Sequence, residues 1–378
     1  MSIDDPLVAA FSITMAVSFG VCLLLVLTQR WHGRLSLDGD LTGAQKFHDV
    51  PVPRIGGVAV FAGLLSGVMG LAVFVDRSDT EPLLLLIMAS LPAFLAGLLE
   101  DITKRVSVGI RLLATFSSAA LAAWLVDASL TRLDTFGLDA LMTLAPIAVM
   151  FTCFAVGGIA NAVNIIDGFN GLASGSIVIM LAGLGAIAHW AGDTLVLQMC
   201  LLGIGASLGF MLLNYPFGKI FLGDGGAYLA GFWLAECAVL LLSRNEEVST
   251  WAVLLACIYP AFETVFSMWR KDVYRKTGMG KPDKVHFHML VFRRIVGQQF
   301  GKNAPAWLRH GVTSFYIWML VAACQITAIW MTAMGQGSPV LATAIVGFAL
   351  IYIAIYRTMV LGCFPKTIEP DGESPMHA

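Results

Sequence analysis

Residues 171–213 read GLASGSIVIMLAGLGAIAHWAGDTLVLQMCLLGIGASLGFMLL, and Asp193 is the one Asp, Glu, Lys or Arg among them. Two apolar blocks, 171–190 and 195–213, flank a short connector at 191–194. Each block holds ~20 residues, the length at which an α-helix crosses the hydrocarbon core of a bilayer. Hydrocarbon offers no water to the main chain, so such a block must satisfy its own N–H and C=O groups and is a helix. The connector has room only to reverse the chain.

The pattern extends in both directions. Further blocks cover 6–28, 55–75, 82–99, 108–126, 141–157, 226–242, 251–269, 312–334 and 339–356. The expectation is an all-α polytopic membrane protein with about 11 transmembrane helices. Composition agrees: 58% of the 378 residues are hydrophobic and 13% charged, against about one-quarter charged in soluble domains. Mean hydropathy is +0.80. No repeat, low-complexity stretch or Gly/Ser linker divides the chain, so 1–378 reads as a single membrane-embedded domain. The 7 Cys sit in or beside apolar blocks without CxxC spacing and read as small buried hydrophobes. Residues 1–5 are acidic and lack the basic region of a signal peptide, so the first span is expected to be retained.

Charge sets the expected orientation. With the N-terminus outside, the segments 29–54, 100–107, 158–170, 214–225, 270–311 and 357–378 face the cytoplasm. If Arg111, just inside a span, is counted with them, that face holds all of the 23 Lys and Arg except Arg77, Arg132 and Arg244. This is the positive-inside bias, and it places the C-terminus inside as well. The formal net charge of −2 says little about partners.

Long polar segments can build a site, and those on the inner side carry groups that a connector does not need. In Leu98-Leu-Glu100-Asp101-Ile-Thr-Lys104-Arg105, two adjacent carboxylates follow an apolar run. They mark either a cation site or a solvated helix end paired with Lys104 and Arg105. In Asn161-Ala-Val-Asn164-Ile-Ile-Asp167-Gly168-Phe-Asn170-Gly171, helical spacing sets Asn161, Asn164 and Asp167 within about 120° of one another, on one polar face. Turn formation is the alternative there. In Asn214-Tyr-Pro216-Phe-Gly-Lys219-Ile-Phe221-Leu-Gly223-Asp224-Gly225-Gly226, a lone carboxylate sits among glycines. Such a loop could expose N–H groups to a phosphate while the acid holds Mg²⁺, or could simply be a turn.

Two further segments are basic. One holds Lys46, His48, Pro51, Pro53, Arg54, Gly56 and Gly57; the other holds Asp283, His286, His288, Arg293 and Arg294. Cations beside acids suit a polyanionic, metal-bound substrate such as a nucleotide diphosphate. Topology and contact with anionic lipid explain the sign of these charges but not the histidines.

Taken in order, KFHDVPVPRIGG, GLLEDITKRVS, NIIDGFNGLASG, NYPFGKIFLGDGG and PDKVHFHMLVFRR resemble the motifs of the polyprenyl-phosphate N-acetylhexosamine-1-phosphate transferases. The resemblance spans most of the chain. It implies transfer of N-acetylhexosamine-1-phosphate from a UDP-sugar to undecaprenyl phosphate, with release of UMP, at the bacterial inner membrane. It implies Asp101 and Asp224 as essential carboxylates, with Asp224 the ligand of Mg²⁺ or Mn²⁺, and Glu100 and Asp167 beside them in catalysis. Asn164 and Asp167 match the family's Asn-x-x-Asp-Gly, and Asn214 matches an asparagine of the nucleotide site. His286 and His288 match the histidine motif near the diphosphate and sugar. Lys46, His48, Arg54, Lys104, Arg293 and Arg294 complete the implied substrate-binding set. Membrane lipids are implied partners, a homodimer is compatible with the family, and nucleic acid has no place.

Departures from the family pattern point to a branch. The acidic pair reads Glu100-Asp101, the metal motif reads Gly-Asp-Gly225-Gly-Ala227, and Phe287 and Met289 stand where some members have His. The interrupted histidines and the Pro-Arg-x-Gly-Gly loop resemble the glycan-initiating, O-antigen-type branch more than the peptidoglycan phospho-MurNAc-pentapeptide translocase. A secondary transporter is the competing class, and it would line a path near the midplane with polar groups. The within-span acids Glu236 and Glu263 form no such cluster and are expected to be polar contacts between helices.

Overall fold

The computed structural model describes residues 5–38, 51–74, 77–272, 285–301 and 303–362. Its helices in chain order are α1 (Asp5–Leu27), α2 (Gln29–Ser36), α3 (Gly56–Phe74), α4 (Arg77–Thr103), α5 (Val108–Val126), α6 (Asp139–Met142), α7 (Ala145–Ile166) and α8 (Leu172–Ala191). They continue with α9 (Thr194–Asn214), α10 (Gly223–Arg244), α11 (Thr250–Ala256), α12 (Ile258–Arg270), α13 (Phe287–Leu290), α14 (Gly297–Phe300), α15 (Ala306–Ala333) and α16 (Ser338–Leu361). A π-helical turn, Val291–Val296, joins α13 to α14. The chain is a multi-pass membrane protein: 10 of these helices are long and apolar enough to cross a bilayer, and the bent pair α11–α12 makes 11 if it counts as one span.

That bent pair corrects the straight span expected over 251–269. The two helices meet at 78°. Pro260 explains the break, because it has no N–H for the carbonyl of Ala256 and its ring crowds that carbonyl. The Gln325 side chain on α15 donates to the Ala256 oxygen instead, at 2.6 Å. A second correction concerns 141–157: α6 occupies the start of that stretch, Pro146 opens α7 near its first position, and the helix runs on to Ile166. Asn161 and Asn164 are therefore helical, as their spacing suggests.

α10 is the axis of the bundle, with 94% of its apolar window buried, against 22% for α1 and 17% for α16. Glycines let neighbours close on its first turn. A Cβ on Gly57 of α3 would lie 2.3 Å from the Gly226 nitrogen, and one on Gly97 of α4 would lie 2.5 Å from the Gly225 nitrogen. The entry to α3 is tied to the same place. A short antiparallel pair, β1 (Leu37–Asp38) with β2 (Val52–Pro53), leads into it. Phe221 N–H then donates to Pro53 O, and Gly56 and Gly57 N–H donate to Phe221 O and Leu222 O, at 2.8–2.9 Å.

The opposite end of the bundle is fastened by ion pairs. Asp193 caps α9 through Val196 N–H and receives Arg244 Nε at 2.7 Å and Asn245 Nδ2 at 2.9 Å. Asp134 receives Arg132 Nη1 at 2.5 Å and Thr250 N–H at 2.7 Å.

Candidate active site

Alternating helices bring the ends of α4 and α7 and the starts of α3, α5 and α10 together. Asp224, in the first turn of α10, is the centre of what they form. Its Oδ1 accepts from Arg54 Nη2 at 2.8 Å and from Asn164 Nδ2 at 3.2 Å, and its Oδ2 accepts from Arg111 Nη1. Asp101 approaches from the last turn of α4. Its two oxygens accept the Asp224 and Gly225 N–H groups at 2.9 Å each, and Arg54 Nε lies 3.5 Å from Oδ1. A carboxylate there satisfies open donors of a helix start and complements its dipole.

This geometry corrects the reading of 223–226 as an exposed phosphate-binding loop. Gly223 to Gly226 form the start of a buried helix. The N–H groups of Asp224 and Gly225 are spent on Asp101.

Asp167, just past the end of α7, completes the acidic group. Burial pushes its pKa upward, Arg54 pulls it back, and the charges of Asp224 and Asp101 add to the rise, leaving it at about 7. Three carboxylates thus meet two arginines, which leaves the group with an excess of acid.

The other expected residues divide. Glu100 turns to its own chain, accepting Val106 N–H at 2.7 Å and closing the turn after α4. Lys104 ends that helix with a left-handed φ of 56° and is exposed. Asn161 bonds to Gly157 O at 2.7 Å on its own helix. Asn214 is buried with both ends of its amide engaged, accepting Gly171 N–H at 2.6 Å and donating to Ile220 O at 2.7 Å. It holds the start of α8 to the loop that leads into α10. Arg293 and Arg294 are exposed on the π-helical turn. Lys46, His48 and Asp283 lie outside the described residues.

The histidine motif folds against the Asp-Gly turn. His286 and His288 lie with parallel rings, centroids 5.5 Å apart, and a Cβ on Gly168 would sit 3.1 Å from His288 Nε2. Phe169 fills the space behind, 5.8 Å from the His288 ring, 4.8 Å from Phe292 and 5.2 Å from His310. His286 Nδ1 bonds to Glu263 Oε1 at 2.7 Å.

Sequence reasoning missed Arg111 and the partnership of Glu263. Arg111 had a signal, as a guanidinium inside an apolar span that needs a buried counter-charge. The Glu263–His286 contact joins segments far apart in the chain, and no local pattern carries it. Glu263 does contact α16, through Tyr352, as a polar contact between helices should. Glu236 does not fulfil that expectation: both of its oxygens are buried and, among the described residues, meet no hydrogen-bond partner.

A multi-pass membrane protein with acids and arginines clustered at one end of its bundle is the class that this fold and cluster define. Residues 83–242 match the glycosyl transferase family 4, a stretch that contains Asp101, Arg111, Asn164, Asp167, Asn214 and Asp224. The chain is 29% identical over 313 residues to a probable undecaprenyl-phosphate N-acetylglucosaminyl 1-phosphate transferase of Bacillus subtilis, covering 76% of this chain and 83% of that one. It is 30% identical over 258 residues to the undecaprenyl-phosphate alpha-N-acetylglucosaminyl 1-phosphate transferase of Thermotoga maritima, covering 68% and 73%. A phospho-N-acetylmuramoyl-pentapeptide-transferase of Streptococcus thermophilus is 34% identical over 187 residues, covering 48% and 52%. The chain belongs to the polyprenyl-phosphate N-acetylhexosamine-1-phosphate transferase family and is a phosphosugar transferase.

Proposed function

We propose that the protein transfers N-acetylhexosamine-1-phosphate, with N-acetylglucosamine the first candidate sugar, from a UDP-sugar to undecaprenyl phosphate at the cytoplasmic face of a bacterial inner membrane. The product is the first lipid-linked intermediate of a surface polysaccharide such as O-antigen. The observation that carries this reading is the group of buried Asp101 and Asp224 and partly exposed Asp167, crossed by Arg54 and Arg111. The positive bias of the same end supports a cytoplasmic placement with the N-terminus outside.

The lipid phosphate oxygen attacks the sugar-bearing phosphorus, the bond to UMP breaks, and UMP leaves with the bridging oxygen. The acceptor is already an anion at neutral pH, so catalysis is positioning and charge neutralisation. Arg54 and Arg111 are set to exchange Asp224 for diphosphate oxygens. Asp101 acts as a positioning group, since both of its oxygens hold the turn that presents Asp224.

The donor set fits a divalent cation. An excess of carboxylate over guanidinium leaves room for positive charge, and Asp167, raised to about 7 first by burial and then by Asp224 and Asp101, could lose its proton to a cation. Among the described residues no three His, Cys, Asp or Glu side chains could hold a metal by themselves. Mg²⁺ keeps waters and relies on one or two carboxylates plus substrate phosphates. Asp224 and Asp167 would hold Mg²⁺ or Mn²⁺, which supplies neutralisation of the diphosphate charge.

The test is product formation by purified protein with undecaprenyl phosphate and a panel of UDP-sugars, scored for UMP and for labelled lipid, with and without EDTA. UDP-N-acetylglucosamine consumed and UDP-MurNAc-pentapeptide refused is the expected pattern. The peptidoglycan relative covers about half of the chain, so the reverse pattern would move the protein to that branch. Movement of solute without UMP release would make it a transporter.

A further inference from the structure

α12 carries two charged side chains on one buried face, seven residues apart, and both reach the histidine motif. Arg270, 6% exposed, donates through Nη1 to Val285 O at 3.0 Å and to Tyr356 Oη at 2.7 Å. Glu263 is 0% exposed, and its bonds go to the next residues and to α16. Oε1 accepts His286 Nδ1–H at 2.7 Å, both oxygens share the Phe287 N–H at 3.3 Å, and Oε2 accepts the Tyr352 hydroxyl.

A carboxylate costs much to bury in a membrane protein, and a helix contact alone could be made by apolar groups. Its geometry here does something an apolar group cannot. An acceptor fixed at Nδ1 forces the proton onto that nitrogen and leaves Nε2 as the working atom of the ring. Among the described residues, the hydrogen bond made by the His286 ring runs through Nδ1. The His286 ring is parallel to that of His288, which abuts Gly168, the neighbour of Asp167. The imidazole held by Glu263 therefore stands one ring away from the turn that closes the acidic group.

We propose that Glu263, supported by Tyr352 from α16, is a positioning residue that locks His286 with Nδ1 protonated and Nε2 presented to the diphosphate of the sugar-nucleotide donor. This rests on the transferase reading above. It makes α16 part of the site's support, although α16 contributes no motif.

The test is a double-mutant cycle on the full-length protein in nanodiscs, reading kcat and KM for UMP release, together with ¹⁵N shifts of labelled histidine. E263Q and H286A are each expected to lower kcat about 10–100-fold, the range for removing the partner of a working imidazole. The double variant should be no worse than H286A, and Y352F should give a smaller loss that H286A also masks. The His286 signal, assigned by its absence in H286A, should show a protonated Nδ1 in the wild type. Losses that multiply, E263Q at wild-type turnover, or a protonated Nε2 in the wild type would overturn the proposal. If E263Q does not fold, the Y352F and H286A pair decides in the same way. A wild type that releases no UMP from any UDP-sugar sinks the transferase reading, a separate outcome from an active wild type with multiplying losses.

Discussion

At one end of the bundle Asp101, Asp167 and Asp224 face Arg54 and Arg111; at the other, Asp193 faces Arg244 and Asn245, and Asp134 faces Arg132. The groups are of the same kinds, but the accounts differ. Burial opposes ionisation of Asp193, yet hydrogen bonds from Arg244, Asn245 and the Val196 N–H overcome it and hold its pKa below the usual carboxylate range. Burial opposes ionisation of Asp134 as well, and the Thr250 N–H and Arg132 overcome it and hold its pKa low. Asp167 moves the opposite way, to about 7. Acids matched donor for donor fasten loops. Acids left in excess make a place for something else, and that excess is what distinguishes the end proposed to do the chemistry.

The largest break in this comparison should come from Asp224→Asn, which removes the charge shared by both arginines. UMP release is expected to fall about 1,000-fold or more, while the protein still elutes as a folded species on size exclusion. Arg111→Gln, at the residue that the motifs do not reveal, should cost about 100-fold in kcat/KM. An Arg111 variant with normal kinetics would return that guanidinium to a purely structural role.

Thermal stability gives a contrast of sign. In EDTA at pH 8, Asp167→Asn should raise the melting temperature by a few degrees while abolishing turnover. The pKa of Asp167 is raised in the fold, so its ionisation penalty builds as pH climbs from about 4 to about 7 and is absent below that window. Asp193→Asn should lower the melting temperature and leave turnover alone. The pKa of Asp193 is lowered, so its contribution is full above the unfolded value of 3.8 and disappears as pH falls through the folded one. Because Arg244 is 46% exposed, this loss should be about 1 kcal/mol or less. Two shifts of the same sign at pH 8 would erase the distinction between the ends. The smallest effect is expected from Glu100→Gln, whose amide oxygen can still accept Val106 N–H: less than about threefold in kcat/KM.

Much of this was legible in the sequence because hydrocarbon imposes a simple grammar. Span length locates the elements, and the Asn-x-x-Asp spacing places Asn164 and Asp167 correctly at the end of a helix. What escaped is what depends on partners far along the chain. The bend at Cys257 rests on Pro260 and on Gln325, a residue of another helix. Gly-Asp-Gly-Gly reads as a loop from composition, because its burial depends on Gly57 and Gly97 arriving from two other helices. The paired role of Glu263 was equally hidden, since His286 reaches it across the segment 273–284.

The glycine seam around Asp224 has a consequence for how the protein can vary. At Gly57 and Gly97 main chain meets main chain, so even alanine acts as a wedge that moves α10 as a body. A saturation library at these positions and at Gly225 and Gly226 should return glycine almost alone among active clones. Side chains around the mount can drift; the mount itself has a single permitted thickness.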